Sequence, residues 1–111
     1  AGGQNLECLV DTGASMTTVP TALAQGLGIL RPGAQTMRVE TAGGMVDAPT
    51  AVLPHVRLGG FELRSLRVLV LDLPGGLAGK GLIGLNLLNR FDFHVDQDAG
   101  VLVLERKRGR R

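Results

Sequence analysis

The sequence has no tryptophan, no tyrosine, three phenylalanines, one cysteine and two histidines in 111 residues. A single cysteine excludes an internal disulfide and any Cys-x-x-Cys metal site. Cys8 itself, set between apolar neighbours, reads as a core residue. His55 and His94 are too few and too far apart in sequence to argue for a metal centre. No strand interleaves aromatic with basic residues, so a sheet surface built to stack RNA bases is not expected. No apolar run approaches the roughly 20 residues of a membrane span, and no signal-peptide pattern is present. The chain begins at Ala1-Gly2-Gly3 without Met, as an excised domain would. An upstream anchor is the only route to a membrane that this leaves open, and the compartment is unassigned.

What the chain does have is a hydrophobic fraction of 44% and 17 glycines. Leu, Val, Ile and Ala therefore build the core and glycine the tight turns, which favours one compact, mainly β domain. The formal net charge is +2, but residues 106–111 hold five of the twelve Lys and Arg, leaving seven basic against ten acidic residues in residues 1–105. The expected domain is 1–105, and 106–111 is expected to be a basic, disordered tail. A tail of this kind can touch nucleic acid or anionic lipid; a solvated end is the preferred reading, so no nucleic-acid partner is assigned.

In order, residues 5–10 read as a strand with Leu6, Cys8 and Val10 on one face, and Thr17-Thr18-Val19 as a second extended stretch. Residues 20–25 predict a turn or two of helix behind Pro20, stopped by Gly26 and Gly28. Two extended segments, 36–41 and 45–53, flank Ala42-Gly43-Gly44 as a hairpin. A second hairpin joins 55–58 to 61–63 through Gly59-Gly60, followed by a buried strand over 66–71. Residues 72–81 form a glycine-rich loop. Leu82-Ile83-Gly84 leads into a short helix over 85–91 with Leu85, Leu88 and Phe91 inward. Strands over 93–95 and 101–104 finish the domain, turned by residues 97–100.

Chemistry concentrates in Leu9-Val10-Asp11-Thr12-Gly13-Ala14-Ser15, where an apolar strand delivers a carboxylate, a hydroxyl and a glycine to the buried mouth of a tight loop. This stretch resembles the active-site loop of single-domain, retropepsin-like aspartic proteases. Hydrolysing a peptide bond without metal or covalent intermediate takes one carboxylate to accept a proton from water and a second carboxyl to hydrogen-bond the carbonyl oxygen. Two acids so close cannot both ionise, so they share a proton and titrate as a pair. This chain supplies one suitable loop, so the mechanism requires a two-fold homodimer.

The resemblance continues through residues 39–49, which stand where that family has a glycine-tipped flap, and through Leu82-Ile83-Gly84 before a helix; it covers most of residues 5–105. It implies a mainly β, closed or partly open acid-protease barrel with one short C-terminal helix and one lobe per chain. It implies further that Asp11 is the catalytic acid, that Thr12 braces the paired loops across a dimer and that Gly13 allows close backbone approach. Ala14 would pack beneath the loop and Ser15 bond substrate or loop. Gly43, Gly44 and Met45 would form the flap tip, and Leu82 and Ile83, ending at Gly84, would line the substrate pocket. The flap has no tyrosine, in keeping with the single-domain branch. No cofactor or metal is implied; the partners are a second copy and a protein or peptide substrate.

Other motifs fail on context. Gly79 to Gly84 satisfies G-x-G-x-x-G, but a dinucleotide site needs a strand-turn-helix unit of a parallel sheet. A phosphate loop around Lys80 fails at Pro74 and Gly81. Asp96 and Asp98 lack the glycine and final glutamate of a calcium loop and read as hairpin caps. Ser15 has no nucleophile elbow around it. The function expected is therefore an aspartic endopeptidase; the alternatives are a catalytically weak retropepsin-like dimerisation or peptide-binding module and, further off, an adaptor acting through the basic tail.

Overall fold

The β-branched and leucine-rich stretches form eight strands in the computed structural model, which describes residues 5–41, 43–99 and 101–106. They are β1 (Cys8–Val10), β2 (Thr17–Val19), β3 (Thr36–Thr41), β4 (Gly44–Leu58), β5 (Phe61–Val70), β6 (Gly81–Ile83), β7 (Phe91–Asp96) and β8 (Val101–Arg106), with helices α1 (Thr21–Leu27) and α2 (Leu85–Leu88). Six strands make one sheet in the order β1-β6-β2-β5-β4-β3, while β7 and β8 pair separately. β1 runs parallel to β6 and β2 parallel to β5, whereas β2 meets β6 antiparallel at Thr18 and Leu82. The mainly β, partly open barrel is thus present, as a curled sheet, with α1 as a helix additional to the C-terminal one.

The expected strands 45–53 and 55–58 merge into β4, and 61–63 and 66–71 into β5, so the second hairpin is one long ladder. β4 is continuous through Pro54 and β5 through Ser65, with Leu53 facing Leu66 and His55 facing Arg64 on either side of them. Pro54 has no N–H to give to a ladder, and Ser65 opposite takes the left-handed φ of 56°. The kink changes which alternate residues face inward: β5 buries Leu63 before it and Leu66, Val68 and Val70 after it. Arg90, just after α2, fixes the kink by donating Nη1 to the Arg64 carbonyl (2.7 Å) and Nη2 to the Ser65 carbonyl (2.9 Å).

Helix α1 starts where Thr21 N–H donates to Asp72 Oδ1 (2.9 Å). It runs through Gly26 and ends at Gly28, whose φ of 70° is the left-handed value that favours glycine. α2 is shorter than 85–91 and buries Leu87 and Leu88, with Leu85 only half-buried. Phe91 is buried but belongs to β7, stacked at a tilt on Phe61 with ring centroids 4.8 Å apart. Leu66, Val68 and Leu88 are the largest fully buried side chains, and Leu102 and Leu104 of β8 pack on the same core from outside. At the far turn Asp96 Oδ1 accepts the Ala99 N–H (3.1 Å), the cap expected of it.

Cys8 is exposed rather than in the core. Among the described residues β1 is an edge strand, short and paired on one side only, with β6, so alternation along it does not translate into burial. Its sulfur nevertheless sits against Gly81, where an added Cβ would lie 2.9 Å from Sγ. Desolvation pushes the thiol up from its ordinary value, with a backbone hydrogen bond from Gly81 pulling the other way. Of the basic stretch 106–111, Arg106 closes β8 and 107–111 lie outside the described residues.

Candidate active site

The strand order forces a particular loop. β1 and β2 are consecutive in sequence but flank β6, so residues 11–16 must pass over the end of β6 where the chain leaves it. Asp11 N–H donates to the Ile83 carbonyl (3.0 Å), extending the β1–β6 ladder into the loop, and Ala14 N–H closes a turn on the Asp11 carbonyl (3.1 Å). The carboxylate is fixed by Gly13 N–H donating to Asp11 Oδ1 (2.9 Å). Asp11 is exposed in the single chain, not at a buried mouth, because the strand before it pairs on one side only among the described residues. Thr12 is exposed as well, and its hydroxyl has no hydrogen bond among the described residues. Ala14 is half-buried and Ser15 exposed.

The same crossing explains Gly84. A Cβ there would sit 2.5 Å from the carbonyl carbon and oxygen of Met16 and 3.0 Å from the Ala14 oxygen. Without it the chain passes under the loop, and Leu85 N–H and Asn86 N–H donate to the Ala14 (2.8 Å) and Ser15 (3.1 Å) carbonyls. Loop and α2 are thereby one unit. Leu82 and Ile83 alternate across β6: Ile83 is packed in the core, and Leu82 is the half-exposed one.

Two residues beneath the loop, Thr17 and Asn86, stand in no motif of the sequence. Asn86 Oδ1 accepts from Thr17 N–H (2.7 Å) and Thr17 Oγ1 (2.8 Å), and Asn86 Nδ2 donates to the Arg67 carbonyl (2.6 Å). Thr17 Oγ1 in turn accepts the buried Gly84 N–H (3.1 Å). Thr17 is 4% exposed, so each of these groups needs a protein partner. With Arg90 at the β5 kink, they tie α2 to the first loop and to the central ladder. An asparagine one residue into a helix that directly follows the glycine of β6 is the only hint the sequence holds of this.

The β3–β4 hairpin has its tip at the expected place. Thr41 pairs with Gly44, Gly44 has a φ of 113°, and Thr41 Oγ1 both donates to the Gly44 carbonyl (2.7 Å) and accepts from Gly43 N–H (3.2 Å). Ala42 lies outside the described residues. Met45, the second residue of the return strand and opposite Glu40, is 55% exposed. Among the described residues no hydrogen bond joins this tip to residues 11–16. Leu9, Val10 and Leu77, next to the loop in sequence or on the glycine-rich segment before β6, are also exposed. Among the described residues no group of three or more His, Cys, Asp and Glu side chains converges.

A family model described as aspartyl protease matches residues 1–87, a span that holds the Asp11 loop, the glycine-tipped hairpin and β6. The chain belongs to the aspartyl protease family. It is similar over 86% of its length to a retropepsin-like aspartic protease from Rickettsia conorii, at 32% sequence identity and a TM-score of 0.63, covering 69% of that chain. Among curated proteins no match is found. The fold of this aspartyl protease chain is retropepsin-like: one lobe, with one Asp-Thr-Gly loop crossing β6.

Proposed function

We propose that two copies of this chain associate about a two-fold axis and that their two Asp11 carboxyls form the site of an aspartic endopeptidase. One observation carries this reading: a single exposed Asp11 carboxylate, held by Gly13 N–H and by its own backbone bond to β6, in a chain of the aspartyl protease family. One ionised Asp11 takes a proton from water as the oxygen attacks the peptide carbonyl, while the partner's Asp11, protonated, hydrogen-bonds the carbonyl oxygen. The proton then passes to the departing nitrogen, and the pair returns to its shared-proton state.

The unpartnered Thr12 hydroxyl suits a bond to its counterpart across the two-fold axis, and Gly13 leaves room for the approach of substrate backbone. Ala14 and Ser15 support the loop through the carbonyls that hold α2. Residues 43–45 close over an extended peptide as a flap, and Leu82, the half-exposed member of β6, presents an apolar wall to the residue beside the cleaved bond. The reaction needs no cofactor or metal ion, the protease domain is residues 1–105, and the basic end is dispensable.

The test is cleavage of a peptide library near neutral and at acidic pH by wild-type protein, by Asp11→Asn and by protein ending at residue 105. Cleavage by wild type and the shortened protein, loss in Asp11→Asn, and inhibition by a peptide with a central hydroxyl in place of the scissile carbonyl are the expected results. Equal cleavage by Asp11→Asn would remove the mechanism.

A further inference from the structure

A cleft of about 540 Å³ lies between the segment 28–35 and the β4–β5 ladder, and it shares no residue with the Asp11 loop, the β3–β4 hairpin tip or residues 82–84. Its cations are Arg31 and Arg67, and no Asp or Glu lines it among the described residues. Arg67 is held by a neutral group, its Nη2 donating to Gln35 Oε1 (2.8 Å). Gln35 is itself anchored, its carbonyl accepting from Thr50 N–H (2.7 Å) and Thr50 Oγ1 (3.0 Å). The fork of Arg67 is therefore oriented with N–H donors left over, and Arg31 lines the same cleft with no carboxylate partner among the described residues. Elsewhere on this surface Arg38 and Lys80 do take carboxylates, from Asp47 and Glu7. Ile29, Pro54 and Val52, which is 49% exposed in mid-strand, add an apolar wall.

A planar, oriented guanidinium suits a carboxylate better than a solvated point charge does. An apolar wall beside it suits an adjoining hydrophobic side chain, and among the described residues no aromatic ring lines the cleft on which a nucleic-acid base would stack. We propose that this cleft is an exosite for an acidic stretch of polypeptide, Arg31 and Arg67 taking a carboxylate and Ile29, Val52 and Pro54 the neighbouring apolar side chain. As a substrate exosite it rests on the protease reading; as a peptide-binding site it does not.

The test separates the two by measuring binding without turnover, in Asp11→Asn protein, by fluorescence anisotropy. The probes are a labelled octapeptide of alternating Glu and Leu, its Gln-for-Glu counterpart, and a labelled single-stranded RNA octamer. The expected result is that the acidic peptide binds, the Gln peptide binds at least about tenfold more weakly, and Arg31→Gln/Arg67→Gln loses at least about tenfold. Gln35→Glu, which sets an internal carboxylate on Arg67, should weaken binding in the same way while unfolding at the same urea concentration. No binding of the acidic peptide, or equal binding by the variants, overturns the proposal. Tighter binding of the RNA that depends on Arg31 and Arg67 overturns the partner class.

Discussion

Gly84→Ala tests how the loop is built. The backbone at Gly84, with φ −103° and ψ −175°, is open to alanine, so any cost must come from contact. The added Cβ would meet the carbonyl carbon and oxygen of Met16 at 2.5 Å and the Ala14 oxygen at 3.0 Å. These are backbone atoms, which cannot swing aside as a side chain does. Relief requires α2 and the loop to separate, which stretches the bonds from Leu85 N–H and Asn86 N–H to the loop carbonyls and from Gly84 N–H to Thr17 Oγ1. Overpacking costs about 1–3 kcal/mol, and weakening two or three hydrogen bonds adds about 1–2 kcal/mol. The expected destabilisation is therefore roughly 2–5 kcal/mol by urea unfolding. Gly76→Ala is the control, since a Cβ there meets nothing within 4 Å; it should change stability by less than about 0.5 kcal/mol. Peptide cleavage by Gly84→Ala should fall more than its folded fraction, because the displaced loop carries Asp11. Wild-type stability and cleavage in Gly84→Ala would refute this account of the crossing.

Removing the asparagine side chain in Asn86→Ala leaves Thr17 N–H and Oγ1 without their acceptor in a buried position, for an expected loss of roughly 2–4 kcal/mol in urea unfolding. Asn86→Asp keeps the acceptor for Thr17 but sets a carboxylate oxygen against the Arg67 carbonyl, and should destabilise as well. Arg90→Ala frees the carbonyls at the β5 kink and should cost roughly 1–2 kcal/mol, with faster amide exchange around Ser65. Burial raises the Cys8 thiol pKa, so at a given pH less thiolate is present; its alkylation rate should rise at higher pH than that of a free cysteine, and a rise at lower pH would contradict the packing of its sulfur on Gly81.

The parts of this fold readable along the chain are those in which one local pattern has one structural solution. An apolar run ending in Asp-Thr-Gly makes a strand and a tight loop, and paired glycines between alternating segments make the β3–β4 hairpin. The glycine of Leu82-Ile83-Gly84 stood out too, though its reason, an approach of 2.5 Å to the Met16 backbone, is visible only once β6 is seen between β1 and β2. Pro54 and the polar stretch around Ser65 read as breaks between short strands. They face one another in a single ladder, and the kink they make is held by Arg90 from 25 residues away in sequence. Cys8 departs from its expected place for a related reason: alternation assigns faces, while burial depends on which strand lies alongside, and among the described residues β1 has a neighbour on one side only. Thr17 and Asn86 are 69 residues apart, a separation that no local pattern spans.

The central claim, that one site is made from two chains with one Asp11 each, is tested most directly by mixing. Wild-type and Asp11→Asn protein are combined at fixed total concentration, unfolded together and refolded so that protomers exchange at random, and peptide cleavage is measured against the wild-type fraction. If both carboxyls of a site come from different protomers, mixed dimers are inactive and activity follows the square of that fraction, about one quarter of the pure wild-type rate at an equal mixture. A linear dependence, with about one half of the rate at an equal mixture, would mean that each chain works with its own Asp11 alone and would contradict the shared site.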